Sequence, residues 1–235
     1  MLISRFKHIK FIDYFLQTLF IFIKKLQFQF LNFARGRTGV YQVTTFTTYD
    51  EYLSLQKSKT LDPVRRKKWL NEEWTWKVDV FLKYFEKLFE IHTLNGNNSN
   101  SALCVGARTG QEVAALRELN IDAIGIDLVP YDPYVVFGDF HSIPFESERF
   151  SFLFTNSFDH SLYPDKMIKE MCRVTAPKGI IVLHISLKAK TDTFGVTEVG
   201  NVKELLKYFE NCQVLSSKKM NFIFGSNYEI VLKKL

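Results

Sequence analysis

Residues 103–112 read Leu-Cys-Val-Gly-Ala-Arg-Thr-Gly-Gln-Glu, an apolar run, a turn holding two glycines, and the start of a helical pattern. Small residues at such a turn let backbone approach a ligand closely, and the free N–H groups of the following helix favour polar or anionic groups there. Gly106, Ala107, Arg108 and Gly110 are therefore candidate ligand-cradling residues. The spacing is Gly-x-x-x-Gly rather than Gly-x-Gly-x-x-Gly, which counts against NAD and FAD. Asp127 ends the next apolar run, followed by Leu128 and lying 17 residues after Gly110. An acid at that place can accept both ribose hydroxyls of a nucleoside. Gly138-Asp139-Phe140 ends a third run; the Asp139 carboxylate can accept from an exocyclic amine of adenine, with the Phe140 N–H and ring serving the base plane. A fourth run ends in Thr155-Asn156-Ser157-Phe158-Asp159-His160. Asp159 and His160 can pair as a general base; equally, Asp159 can cap a turn and His160 can be a satisfied polar residue. His141 is expected to shape the adenine-side turn.

These residues need strand ends to carry them. Strand-length apolar runs occupy 101–105, 123–127, 134–138, 150–155 and 180–186, with helical patterns at 110–119, 163–174 and 201–210. Such alternation predicts an α/β fold with a mainly parallel, doubly wound sheet, whose ligands bind at the carboxyl ends of the strands. Two β-favouring stretches, 212–220 and 228–233, are joined by a short segment with Gly225, Ser226 and Asn227. There is no room for a crossover helix, so the sheet should close with an antiparallel hairpin. Upstream, Val40 to Thr47 favours strand. Thr48 with Glu51 has capping-box spacing, Asp62-Pro63 marks a second helix start, and Asn71 to Ile91 carries a third helical pattern. The division expected is a basic aromatic segment at 1–39, a helical accessory region at 40–95 whose helices pack over the cleft edge, and the main domain at 96–235.

Charge is unevenly placed. Residues 1–39 hold seven Lys/Arg and one acid, so the whole net charge of +6 resides there and the remainder is balanced. A balanced main domain gives no electrostatic reason to expect nucleic acid. Within residues 5–33, Lys7, Lys10, Asp13, Gln17, Lys24 and Gln27 fall on one helical side, with Phe11, Phe15, Leu19, Phe22 and Leu26 on the other. A basic amphipathic helix with an aromatic face suits a membrane surface. Docking on its own domain, a homodimer contact and a short signal anchor are the alternatives. The apolar run 11–23 is shorter than the ~20 residues a spanning helix needs and has no small-residue cleavage site after it. Cys104, Cys172 and Cys212 are scattered, with no metal-ligand spacing, which suits packing residues in a reducing, cytoplasmic setting, with or without membrane association.

Residues 101–186 resemble the type-11-like class I methyltransferases through LCVGARTG, GIDLVP, GDFHSIPFESERFSFLFTNSFDH and EMCRVTAPKGIIVL. The Pro177-Lys178-Gly179 turn is similar to that family's Pro-Gly-Gly turn, and residues 41–76 look like the leader of a plant-type subgroup. The resemblance implies a Rossmann-like fold of seven strands with a reversed last strand. It implies S-adenosyl-L-methionine as cofactor, held by Gly106, Ala107, Arg108, Gly110, Asp127, Leu128, Asp139, Phe140 and Asn156. It also implies transfer of a methyl group to a small molecule, lipid or protein acceptor that the sequence does not identify. Two positions depart from the family: Cys104 replaces its first-strand acid and Arg108 its middle glycine. Glu112 is the candidate replacement acid. Arg108 cannot take glycine's positive φ cheaply and is expected to reach the cofactor's carboxylate instead. The departures motivate a second reading, a catalytically degenerate methyltransferase-like scaffold. No Asn/Asp-Pro-Pro-Tyr/Phe sequence follows the fourth strand, which argues against amino-methylation of adenine or of an amide.

Overall fold

A computed structural model describes residues 39–42, 44–92, 100–187 and 193–235. Its centre is a seven-stranded sheet. In chain order the strands are β2 (Ser101–Val105), β3 (Asp122–Asp127), β4 (Val135–Phe137), β5 (Phe150–Thr155), β6 (Thr175–Ile185), β8 (Cys212–Ile223) and β9 (Ser226–Lys234), laid side by side as β4-β3-β2-β5-β6-β9-β8. The first five are mutually parallel, with Leu103 opposite Ile124 and Leu153. β9 runs antiparallel between β6 and β8, so the expected closing hairpin is present. A separate pair joins β1 (Val40–Gln42) antiparallel to β7 (Thr197–Val199).

The sheet is doubly wound because its strands are apolar on both faces. Alternate residues serve opposite layers. Cys104, Phe152, Phe154 and Val182 meet α3 (Trp74–Ile91) and α4 (Gln111–Glu118). Leu103, Leu153, Ile181 and Leu183 meet α5 (Pro164–Val174) and α6 (Val202–Leu206). The helix stripes match: Val78, Phe81, Phe85 and Leu88 on α3, Met167, Ile168, Met171 and Val174 on α5. The region 40–95 is therefore not accessory throughout. α3 is a covering layer of the sheet, sharing one core with β2 and β5. What lies across the cleft is α1 (Tyr49–Leu61), α2 (Pro63–Lys67) and a π-turn, Lys68–Glu72. The caps expected for them form: Thr48 Oγ accepts from Glu51 N at 3.2 Å, and Asp62 Oδ1 from Arg65 N at 2.8 Å.

Among the described residues no helix is long and apolar enough to cross a membrane. The segment 5–33, and with it the membrane-surface, self-docking, dimer and anchor readings, lies outside the described residues.

Phe85 is fully buried, edge-on to Phe152 and Phe154 and stacked on Phe81. Phe85→Ala is expected to cost about 3–5 kcal/mol, read as a lower urea midpoint with an unchanged denaturant slope. A midpoint at the wild-type value would show that α3 is not part of the cooperative core.

Candidate functional site

The site begins where β2 ends. Gly106 N and Ala107 N both donate to Ile126 O at 2.9 Å, drawing the turn against the end of β3. Gly106 has φ +73°, and a Cβ there would sit 2.6 Å from Ser157 Cβ. Gly110 has φ +84°, and its Cβ would sit 2.5 Å from Tyr134 Cβ. Both positions thus exclude a side chain twice over. Arg108 departs from expectation: it does adopt the left-handed backbone, with φ +51°. That conformation turns its N–H to Asp127 Oδ2 at 3.1 Å. Its guanidinium lies 4.4 Å above the Trp69 ring, and Gln111 Nε2 donates to Trp69 O at 3.1 Å. The π-turn thereby clamps the glycine loop from outside.

The two strand-end aspartates are held with capacity to spare. Asp127 accepts from Arg108 N and, at 3.1 Å, from Val129 N, one bond to each oxygen. Burial raises its pKa, with the two backbone bonds and Arg108 opposing that rise. Asp139 accepts from Tyr49 Oη on one oxygen and from His141 N, at 2.8 Å, on the other. Burial alone would raise Asp139; the bonds from His141 and Tyr49 outweigh it and hold the carboxyl below its usual value. A carboxylate offers about four lone-pair sites, so each aspartate can accept further bonds.

α1 roofs this end. Tyr52, Gln56, Lys59 and Thr60 close over Asp127, Leu128, Gly138, Asp139 and Phe140, leaving a space of about 40 Å³. Gly106, Arg108, Lys59 and His160 also border a wider cavity of about 450 Å³, which reaches Ala107, Glu112, Asn156, Asp159 and the hairpin tip Phe224–Ser226. All the residues expected from sequence except Gly110 thus line one or other of two adjoining spaces. Gly110 shapes the turn from behind.

Two expected roles change on inspection. His160 pairs only distantly with Asp159, at 3.8 Å. Its Nδ1 instead meets Phe194 O at 3.0 Å and its Nε2 meets Lys59 Nζ at 2.9 Å. The ring therefore donates from Nδ1 and accepts at Nε2 from an ammonium, and its lone pair is already engaged. Glu112 is buried in the cleft wall, in the first turn of α4. Burial pushes its pKa up to about 7, against the pull of Arg108 and Lys77. Cys104 lies fully buried beneath it, its thiol pushed up by burial and then by Glu112.

Residues 103–183 match a family described as a methyltransferase domain. Those residues are thus similar to a methyltransferase domain, in a sheet with the class I methyltransferase fold. The fold is similar to that of 1,6-didemethyltoxoflavin-N1-methyltransferase of Burkholderia thailandensis, solved with 1,6-didemethyltoxoflavin and S-adenosylhomocysteine, with a TM-score of 0.62 and 12% identity over 84% of this chain and 96% of that one. A protein of Pyrococcus horikoshii OT3 gives a TM-score of 0.57 and 14% identity over 74% and 99% of the two chains. A SAM dependent methyltransferase from Aquifex aeolicus gives 0.50 and 17% over 77% and 98%. At such identities the likeness is one of fold. The comparison with curated proteins finds no match.

The donor set fits S-adenosylmethionine, the cofactor that the sequence resemblance implies. The cradle at Gly106 admits no Cβ, Asp127 has lone pairs for two hydroxyls, Asp139 has one for an amine, and Glu112 offers an acid for the methionine ammonium. The sequence placed this helix over the cleft edge but did not single out Tyr49, Tyr52 and Lys59, which carry no motif beyond the capping box that starts their helix.

Tyr49→Phe removes one bond to the Asp139 carboxylate and should cost about 1–2 kcal/mol at neutral pH. Asp139 is depressed in the folded state, so this stabilisation is present above its unfolded value near 3.8 and is lost as pH falls through the lower folded value. Denaturation curves of the two proteins should converge at acid pH. A difference that persists once Asp139 is protonated would show the bond to be independent of its ionisation.

Proposed function

We propose that the chain moves a methyl group from S-adenosylmethionine to an acceptor seated in the wider part of the cleft. The observation that carries this reading is that two spaces adjoin, sharing Lys59, Gly106, Arg108 and His160 in their lining. The narrow end holds Asp127, Leu128, Asp139 and Phe140; the wide end holds Asn156 and Asp159, with room for a second molecule. Asp127 would hold the ribose and Asp139 with Phe140 the base. Gly106, Ala107, Asn156, Arg108 and Glu112 would hold the methionine end, with Arg108 toward the carboxylate and Glu112 toward the ammonium. When bound, the cofactor supplies a methyl group already activated on a sulfonium. The protein's own contribution is then alignment and removal of water. α1 excludes water from above, while Phe81 and Phe224, which approach to 4.8 Å, wall the far side.

Calorimetry with S-adenosylhomocysteine tests the assignment. Asp127→Ala should weaken binding roughly 100-fold through the loss of two hydrogen bonds to a charge, and unchanged affinity would overturn it. Binding should also weaken as pH falls through about 7, where Glu112 takes up a proton and can no longer attract an ammonium. In Glu112→Gln that pH dependence should flatten; if it persists, Glu112 is not the pairing acid.

The charge of residues 5–33 supports a further element, delivery of the domain to an anionic membrane surface. The full chain should sediment with anionic vesicles and a chain lacking residues 1–35 should not. Equal sedimentation would sink the idea.

A further inference from the structure

The three cysteines read as scattered packing residues in the sequence, and folding sorts them into two kinds. Cys104 is fully buried behind the cleft wall. Cys172, in the last turn of α5, and Cys212, the first residue of β8, are only half-buried and are brought together. Three contacts fix that meeting. Lys234, the register partner of Cys212 on β9, donates from Nζ to Thr175 O at 2.7 Å, and Thr175 caps the helix that carries Cys172. Cys212 N donates to Phe209 O at 3.1 Å, and Phe209, Cys172 and Cys212 belong to one apolar cluster. Asn211, next to Cys212, lines the same surface cavity of about 670 Å³ as Cys172. This corner lies at the amino ends of the parallel strands, where Phe150 and Thr175 open β5 and β6, and so at the opposite edge of the sheet from the cleft.

The second observation concerns the chemistry of the pair. The thiolate is the reactive form of cysteine, and a second thiol within reach can resolve what the first becomes. The two side chains interact directly. Donation from the Cys172 thiol lowers the pKa of Cys212, and the Lys234 ammonium lowers it further against the effect of burial. The Cys172 thiol is held up by the same interaction and by burial. One sulfur is thus the readier nucleophile and the other its partner. Cys104 has no such neighbour: burial, then Glu112, keeps it a thiol.

We propose that Cys172 and Cys212 are a redox modification site, at which a hydroperoxide joins the two thiols into an intramolecular disulfide. The Cys212 thiolate attacks one peroxide oxygen; the O–O bond breaks, and the departing oxygen takes up a proton. Cys212 is then a sulfenic acid. The Cys172 sulfur attacks the Cys212 sulfur, the S–O bond breaks, and the Cys172 proton leaves with the hydroxyl as water. The two thiols lose two electrons in all, and the peroxide is reduced to an alcohol and water, or to water alone from hydrogen peroxide. The bridge ties the end of α5 to the start of β8 and closes residues 172–212 into a loop, which stabilises by restricting the unfolded chain. A dithiol reductant reverses it.

The test uses the full chain, reduced and then treated with hydrogen peroxide near neutral pH. After free thiols are blocked with N-ethylmaleimide, tryptic digestion without reductant should yield Glu170–Arg173 joined to Tyr208–Lys218, lighter than the two thiol peptides together by two hydrogens. Cys104 should remain a thiol that is labelled only after unfolding. On a non-reducing gel the linked chain should run as a monomer. The oxidised protein should melt roughly 5–10 °C above the reduced one, and dithiothreitol should undo the rise. Cys172→Ser keeps a donor for Cys212 but cannot close the bridge, so dimedone should trap a sulfenic acid at Cys212. In Cys212→Ser the adduct at Cys172 should be at least about tenfold weaker. Mapping of the unsubstituted chain decides the matter even where a variant fails to fold. The proposal is overturned if the joined peptide is absent or forms only between chains, if Cys104 takes part, if the melting temperature does not move, or if dimedone marks Cys172 as strongly as Cys212.

Discussion

The bond from Arg108 N–H to the Asp127 carboxylate ties the turn after β2 to the end of β3. Together with the two N–H groups that Gly106 and Ala107 send to Ile126 O, it fixes where a ligand's ribose and its amino-acid end would lie relative to one another. The bond requires a left-handed residue at 108, a conformation that costs a non-glycine residue roughly 1–2 kcal/mol. Stacking of the guanidinium on Trp69 and the charged hydrogen bond offset that cost. An arginine here thus does through its backbone what glycine does, and adds a cation that glycine cannot. The π-turn bearing Trp69 is in turn held by Gln111, which ties it to the start of α4 behind the loop.

Most of the sheet is legible in the sequence because its signal is simple. β2, β3 and β5 are buried on both faces, so they appear as unbroken apolar runs of the observed length. β6 is longer than its apolar run, beginning at Thr175, because Pro177-Lys178-Gly179 lies within the strand opposite a register shift between Phe150 and Phe152. α1 was recognisable as a helix over the cleft edge, but the residues it brings to the site were not. Its buried residues are Tyr52, Lys59 and Thr60, which make no apolar stripe. A small cluster of Tyr52 with Leu162 and Val196 anchors it, and the rest of its hold is polar: Tyr49 on Asp139, Tyr52 Oη on His160 O at 3.0 Å, and Lys59 on His160. Periodicity reports burial of hydrocarbon and is silent about a helix docked by hydroxyls and an amine. For the same reason the pairing of His160 with Lys59, over a hundred residues away in sequence, had no local signature.

Charge counting illustrates a similar limit. Outside the first 39 residues basic and acidic side chains are equal in number, and by that measure the domain has no preference for anions. Folding makes the distribution uneven. Lys59, Arg65, Lys77 and Arg108 come to border one cavity, while Glu112, one of its two acids, is lifted by burial toward half-protonation at neutral pH. A field is set by arrangement and local dielectric rather than by totals.

The position of β9 bears on how the protein is made. Residues 226–234 insert between β6 and β8, and the turn leading into them supplies Phe224, Gly225 and Ser226 to the cleft wall. A ribosome-bound chain that has released β2 to β6 therefore presents the bare edge of β6, a row of unpaired backbone groups flanked by Ile180, Val182 and Leu183. Such an edge is a template for pairing with other chains. The completed sheet replaces it with β8, whose exposed Lys218 and Lys219 discourage further strands from adding. Between the emergence of β6 and that of β9 this edge stays open and the cleft lacks part of its wall, because Phe224, Gly225 and Ser226 follow all five parallel strands in the chain.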